Sequence, residues 1–336
     1  KTTDVQGAKQ TATPVFTPGK NTVNDVETEV PFEPTSKAKL IDPSKTGEEA
    51  EVTSLEVPKQ GTYTIDDNGV VTFTPLPTFT GEATPVSIVR KDKNGTPATA
   101  TYTPKVVGVT PTGTPVNTEG IQGATQEGTP TFTAGKANVG TEENPVEKTV
   151  PITISATNPA KFVVNGNPVE ETTIPAKEGD KEVGTYTIDP ATGKVTFTPN
   201  KDYHGTPTPV TVQAKDDNGT PATATYSPVV KPAVPTADNQ KTTDVQGAKQ
   251  TATPVFTPGK NTVNDVETEV PFESTSKAKL IDPSKTGEEA EVTSLEVPNQ
   301  GTYTIDDNGV VTFTPLPTFT GEATSVSIVR KDKNGT

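Results

Sequence analysis

His204, in "DYHGTP", is the only histidine in this sequence and so the only side chain poised by its ordinary pKa to carry protons near neutral pH. Cysteine is absent, so a nucleophile would have to be a hydroxyl activated by that imidazole. The same stretch occurs in two other copies along the chain, where the aligned residues are Thr80 and Thr320. A general base that two of three copies lack is not what the copies share. His204 therefore reads as structural or solvent-exposed, and no catalytic or cofactor-binding residue is assigned.

Two further chemistries have their ingredients. Oxygens of Asp and Asn at alternating positions can ligate Ca²⁺, and Asp92 with Asn94, Asp216, Asp217 and Asn218, and Asp66, Asp67 and Asn68 offer them. Calcium wants six or more oxygens, whereas each turn supplies two or three, and Asx–Gly stretches make β-turns without metal. The turn reading is preferred and no metal site is assigned. A Lys–Asn isopeptide bond would need a lysine and an asparagine recurring together. Lys20, Lys136 and Lys260 align between copies, as do Asn94, Asn218 and Asn334, but the asparagines lie in "NG" turns whose backbone demands explain them. The "NGT" triplets also fit a glycosylation sequon, where again the turn suffices.

The elements that would position these groups are strands. "GTYTIDDNGVVTFTP" runs from Gly61 to Pro75, recurs from Gly301, and returns as "GTYTIDPATGKVTFTP" from Gly184. Side chains alternate between faces along a strand, and partners across a hairpin share a face. A two-residue Asn68-Gly69 turn would set Ile65 against Thr72, whereas a three-residue loop, Asp67-Asn68-Gly69 with Gly69 left-handed, pairs Ile65 with Val71 and Tyr63 with Phe73. Thr64 then meets Thr72 and Thr62 meets Thr74. In the middle copy the loop gains one residue, yet Ile188 still meets Val195 and Tyr186 still meets Phe197. The threonines are the wet face of a sheet: the branched Cβ favours extended backbone and the hydroxyl satisfies water.

Threonine supplies 65 of 336 residues, with 34 proline and 27 glycine, a β- and turn-rich bias. Hydrophobic content of 29% and a net charge of −14 lean toward disorder, but short alternating runs bounded by Pro, Asn and Gly recur throughout and decide for folded strands. Eight are expected per copy: Thr13–Thr17, Thr28–Phe32, Ala38–Ile41, Val52–Val57, Thr62–Asp66, Val70–Thr74, Val86–Arg90 and Ala98–Thr103. "TGEEAEV" (Thr46–Val52) reads as loop. The fold class is all-β: tandem antiparallel β-sandwich, Ig-like domains arranged end to end. The acidic balance, with only Arg90 and Arg330 as arginines, argues against nucleic acid or anionic lipid as partner. No apolar window is long enough to span a membrane. Lys1 at the start, with no signal peptide, reads as a piece cut from something longer.

Residues 241–336 reproduce 1–96 with three changes: Pro34 becomes Ser274, Lys59 becomes Asn299 and Pro85 becomes Ser325. A diverged copy lies between them, where "VQGAKQTATPVFTPGK" (from Val5) answers to "IQGATQEGTPTFTAGK" (from Ile121), and "DKNGTPATATYTP" (from Asp92) to "DDNGTPATATYSP" (from Asp216). Domains are expected at 1–106, 117–230 and 241–336, joined by the proline-bearing segments 105–117 and 229–240, which should be held extended. The third copy stops before any counterpart of "PATATYTP" (Pro97–Pro104), so the strand near Val326–Arg330 should lose its hairpin partner and residues 241–336 should be less stable than 1–106.

The stretch Gly61–Val107, with its Phe-Thr-Pro, its Phe79-x-Gly81 and its Asp92-x-Asn94-Gly95, resembles the CshA-type fibril repeat of streptococcal cell-surface fibrillar adhesins, and the likeness extends over essentially the whole chain. The resemblance implies a stalk segment of a Gram-positive surface fibril, a monomeric rod outside the cell. That rod projects a distal binding region from a cell wall to which a C-terminal region absent from this sequence would anchor it. Host matrix or bacterial surface proteins would be partners through regions outside this chain. Alternatively, the repeats themselves bind a host matrix protein or glycan. Hot spots need aromatic or Arg anchors, however, and with Tyr63, Phe73, Phe79 and Tyr102 given to the core, Arg90 is the one anchor left.

Overall fold

In the computed structural model, which describes residues 1–336, the hairpin forms in the register that alternation demands. Tyr63 faces Phe73, Ile65 faces Val71, Thr64 faces Thr72 and Thr62 faces Thr74. Gly69 takes φ 76° and its N–H donates to Asp66 O at 3.0 Å, closing the turn. Tyr63, Val71 and Phe73 are fully buried, while Thr64 and Thr74 are exposed. In the middle repeat Ile188 faces Val195 and Tyr186 faces Phe197, and the extra residue is taken up in the turn, where Asp189 N donates to Lys194 O at 2.8 Å.

In the first repeat this hairpin forms the centre of a four-stranded antiparallel sheet, ordered Gln10–Ala12, Val71–Pro75, Gly61–Ile65, Ser54–Val57. A second antiparallel sheet, ordered Pro97–Tyr102, Val86–Lys91, Lys39–Ile41, Glu51–Val52, packs against it. Tyr63, Ile65, Val71 and Phe73 from one sheet meet Leu40, Val86, Ile88 and Tyr102 from the other in a single core cluster, as a sandwich requires. A small third sheet pairs Thr2–Val5 in parallel with Pro104–Val107, beside Gly81–Glu82. A side hairpin, Gly19–Val23 with Val26–Val30, turns at Asn24 and Asp25, both left-handed (φ 52° and 56°), the residues that tolerate that region best after glycine.

Three expectations are corrected. The strand expected over Val52–Val57 is two strands in opposite sheets, Glu51–Val52 and Ser54–Val57, with Thr53 crossing between them and accepting from Ile65 N at 3.0 Å. Val52 and Leu55 are an odd number of residues apart, so one continuous strand would put them on opposite faces; changing sheets lets both pack on the same core. The strand expected at Thr13–Thr17 is not paired in the first repeat, whereas its counterparts Thr131–Thr133 and Phe256–Thr257 are. Their partners, Thr112–Thr114 and Thr236–Ala237, come from the segments between repeats. Those segments are therefore not bare extended spacers: eight of the thirteen residues of 105–117 and five of the twelve of 229–240 are strand in the flanking sheets. The window Thr46–Val52 holds one 3-10 turn, Gly47–Ala50, before its strand.

Each complete repeat also buries a polar triad. Thr2 Oγ1 lies 2.8 Å from Tyr102 Oη and donates to Gln10 Oε1 at 2.6 Å, and Gln10 Nε2 donates to Lys105 O at 2.9 Å. Thr118, Tyr226 and Gln126 repeat the arrangement. Both glutamines are buried, and these bonds satisfy them.

Burial pushes the core phenols up. Tyr63 and Tyr186 lie well above the ordinary tyrosine range, and burial followed by the charge of Glu178 lifts Tyr203 to about 12. Tyr102, Tyr226 and Tyr303 are raised by burial as well. The fold thus favours the neutral phenol, and above pH about 10 the unfolded chain binds fewer protons than the folded one. Stability is full below that pH and falls as pH rises through the folded values. Phenolate absorbance should accordingly appear in cooperative steps that coincide with loss of the sheet signal in circular dichroism. A smooth titration centred near 10 with the fold intact would contradict the burial.

Candidate functional site

The residues singled out for chemistry do not converge on one another. His204 is exposed, on a shallow cavity that it shares with Glu178, Lys181, Asn200, Asp202 and Tyr203. In each Asp-rich turn one carboxylate oxygen caps its own backbone: Asp92 Oδ1 accepts from Asn94 N and Thr96 N at 2.8 Å each. Asp216 Oδ1 accepts from Asn218 N and Thr220 N, and Asp66 Oδ1 from Asn68 N and Val70 N. No group of three or more acidic or imidazole side chains gathers as a metal shell would. Lys20, Lys136 and Lys260 pair with Glu27, Glu147 and Glu267 across their own hairpins, at 2.6, 3.0 and 2.9 Å. Arg90 stacks on Phe32 of its own repeat, its guanidinium carbon 4.7 Å from the ring centroid, and Arg330 on Phe272 at 4.6 Å.

What the chain does bring together is one repeat and the next. Asn218, in the Asp-x-Asn-Gly turn of the second repeat, donates from Nδ2 to Gln6 O of the first at 2.8 Å. Asn334 of the third repeat donates to Gln122 O of the second at 2.9 Å, across the same separation of 212 residues. The accepting turn is left-handed at its glycine, Gly7 at φ 82° and Gly123 at φ 79°, and a Cβ on either would overlap the docked carboxamide. Glycine is needed twice over, for the backbone and for the close approach. The turn is held from behind by its glutamine: Gln6 Nε2 donates to Pro77 O at 2.7 Å and Gln122 Nε2 to Asp202 O at 2.9 Å.

Around this contact each joint closes a small apolar cluster: Val5, Val109 and Val150 at the first, Ile121, Ala233 and Val270 at the second. Charged edges differ. Lys148 Nζ reaches Asp4 Oδ2 at 2.6 Å across the first joint, while at the second Glu119 accepts from Lys231 at 2.9 Å and from Asn264 N at 3.4 Å. Those two donors, Lys231 first, hold the Glu119 carboxyl below its ordinary value.

Because the outer repeats are nearly identical, the same residues are seen seated and free. Val5, covered by its own repeat's Val107 and Val109 and by Val150 of the next, is 5% exposed, whereas its twin Val245, which lacks all of these, is 75% exposed. Val270 and Asp332 are buried in the second joint, while their twins Val30 and Asp92 are partly exposed. Seating also has a cost: Asp216 Oδ2 and Asp332 Oδ2 are buried without a hydrogen-bond partner. The sequence held a signal for this site. Both halves of the joint are kept between the diverged copies, as "QGA" after Val5 or Ile121 and within "NGTPATATY" from Asn94 or Asn218.

Comparison with known proteins agrees with the repeat pattern. The family model described as the surface adhesin CshA repetitive domain matches residues 1–106, 108–230 and 232–336. No curated protein matches the chain. Among solved structures, the titin I9–I11 tandem aligns with 10% identity over 98% of this chain and 90% of its own, with a TM-score of 0.28. Sidekick-1 immunoglobulin domains 1–4 align with 11% identity over 94% of this chain and 66% of their own, with a TM-score of 0.20. Scores this low carry no argument about function. The family match spans nearly every residue in three consecutive units, and the chain belongs to the surface adhesin CshA repetitive domain family.

Proposed function

We propose that the chain is a stalk segment of a Gram-positive cell-surface fibrillar adhesin, a non-enzymatic spacer that holds a distal binding region away from the cell wall. The observation that carries the reading is the repeated joint: neighbours are seated through the same asparagine, glycine turn and apolar cluster at both junctions. A joint used twice in the same way fixes the angle between neighbours, and a fixed angle between similar units generates a regular, extended array. The acidic, threonine-rich exterior keeps such arrays soluble and discourages lateral pairing. We propose units at 1–106, 117–230 and 241–336, with no catalytic, cofactor or metal site. No helix is long and apolar enough to cross a membrane. Against the repeats themselves as the binding element stands the placement of Arg90 and Arg330, both occupied on aromatic rings of their own repeats.

Small-angle scattering of the 336-residue chain tests the reading. At about 40 Å per repeat, built from strands rising ~3.3 Å per residue plus loops, three units give a rod of about 120 Å with a radius of gyration near 35 Å. A compact body of this length would give about 20 Å. The larger value is expected, and the smaller would sink the stalk.

A further inference from the structure

We propose that the asparagine of each Asp-x-Asn-Gly turn is the latch of the inter-repeat joint, and that spontaneous deamidation of this Asn-Gly dipeptide is the covalent event that releases it. In that reaction the backbone nitrogen of the following glycine attacks Cγ of asparagine, ammonia leaves, and a succinimide closes. Water then opens the ring to aspartate or isoaspartate. The product replaces the Nδ2 donor by a carboxylate oxygen, which cannot donate to Gln6 O or Gln122 O and repels it. The isoaspartate form also lengthens the backbone through a turn that Asp216 Oδ1 caps at two N–H groups.

The seated joint opposes this chemistry. Attack requires Cγ to swing toward the glycine nitrogen, and at Asn218 and Asn334 the carboxamide is held instead by its bond to the preceding repeat and by packing over Gly7 or Gly123. The local turn is the same in all three copies: Gly95, Gly219 and Gly335 each donate N–H to the Asp carbonyl three residues before, at 3.0, 2.9 and 2.9 Å. Asn94 has the same turn and no neighbour, and its side chain is exposed. The difference between the three sites is therefore the joint itself. Asn68 and Asn308, identical in sequence, exposed and outside any joint, supply a reference pair.

Ageing the intact chain at mildly alkaline pH, followed by peptide mass spectrometry, reads all five sites in one molecule. Asn94 should convert about tenfold faster than Asn218, a ratio in keeping with one held hydrogen bond plus its packing. Asn334 should also be slow, although only Gly335 and Thr336 follow it. Gly7→Ala should raise the Asn218 rate to that of Asn94 and leave Asn334 alone; Gly123→Ala should do the reverse. Rates for Asn94 and Asn218 within about twofold of each other in the unaltered chain would overturn the latch, and that comparison stands even where a glycine variant fails to fold. For the release, Asn218→Asp with Asn334→Asp should speed amide exchange at Ala8 and Ala124 relative to the unaltered chain and broaden the scattering profile. Unchanged exchange and scattering would overturn it. The latch rests on the seated joints and not on the stalk reading, since that reading fails on the scattering of the unaltered chain and the latch on its deamidation rates.

Discussion

The third repeat unfolds first, with a midpoint on the order of 20 °C below that of the first, although residues 241–336 differ from 1–96 at only three positions. In the first repeat Val86–Lys91 is flanked on both sides, by Lys39–Ile41 and by Pro97–Tyr102 over six residue pairs. In the third the corresponding strand shrinks to Ser327–Val329 and keeps one neighbour. Val86 and Ile88 are buried, while Val326 and Ile328 are partly exposed; the core cluster holds eleven buried residues in one and four in the other. Opening half a side chain's burial costs about 1 kcal/mol, so the loss sums to on the order of 5 kcal/mol, and each kcal/mol moves the midpoint of a repeat this size by about 4–8 °C. Docking returns part of this, since Val270 and Asn334 are seated and Val30 and Asn94 are not. One net hydrogen bond and a small apolar cluster, at about 1–3 kcal/mol, do not offset the missing strand. Hydrogen exchange on the intact chain measures the difference, because Pro85 and Ser325 give the peptides 82–90 and 322–330 distinct masses. Faster exchange in 322–330 is expected. Equal protection would mean that Pro97–Tyr102 contributes nothing to the sandwich.

The hairpin was legible because two constraints overlap there: the alternation of Thr with Tyr, Ile, Val and Phe, and a middle copy whose loop length differs while its pairing does not. Parity was equally informative at Val52 and Leu55, where odd spacing encodes a change of sheet, but a six-residue stretch with Val52, Leu55 and Val57 invites the simpler reading of one strand. Thr131–Thr133 illustrates what one copy's pattern cannot supply. Its partner Thr112–Thr114 lies in a Pro- and Gly-bearing stretch with the composition of a linker. The joints were hidden for a related reason. An "NG" turn has the same local sequence whether it caps itself, binds a cation or docks on a neighbour, and nothing local distinguishes Asn218, seated on Gln6, from Asn68, which is free. The discriminating information lies in glycines 7 and 123, whose role emerges only when another repeat rests on them.

Phe197→Ala should lower the stability of the middle repeat by about 3–5 kcal/mol, and Thr198→Ala, one residue along the same strand, by no more than about 0.5 kcal/mol. Phe197 is fully buried, its ring centroid 5.2 Å from that of Tyr186, in a cluster shared with Val195, Val212 and Tyr226. Truncation leaves a cavity that the flanking strands cannot close, because Tyr186 is fixed by its hydroxyl bond to Thr208 O at 2.9 Å. Thr198 faces water, opposite Thr185. Thermal unfolding of the two variants, followed for the middle repeat, should show a midpoint drop on the order of 15 °C for the first and almost none for the second. Similar drops would mean that the threonine face is packed against something and is not the solvated side of a sheet. The asymmetry bears directly on the proposed spacer role. If all the stability resides in one face, the other can change residue by residue without altering length or joint angle, and a stalk can renew its exposed surface while its geometry stays fixed.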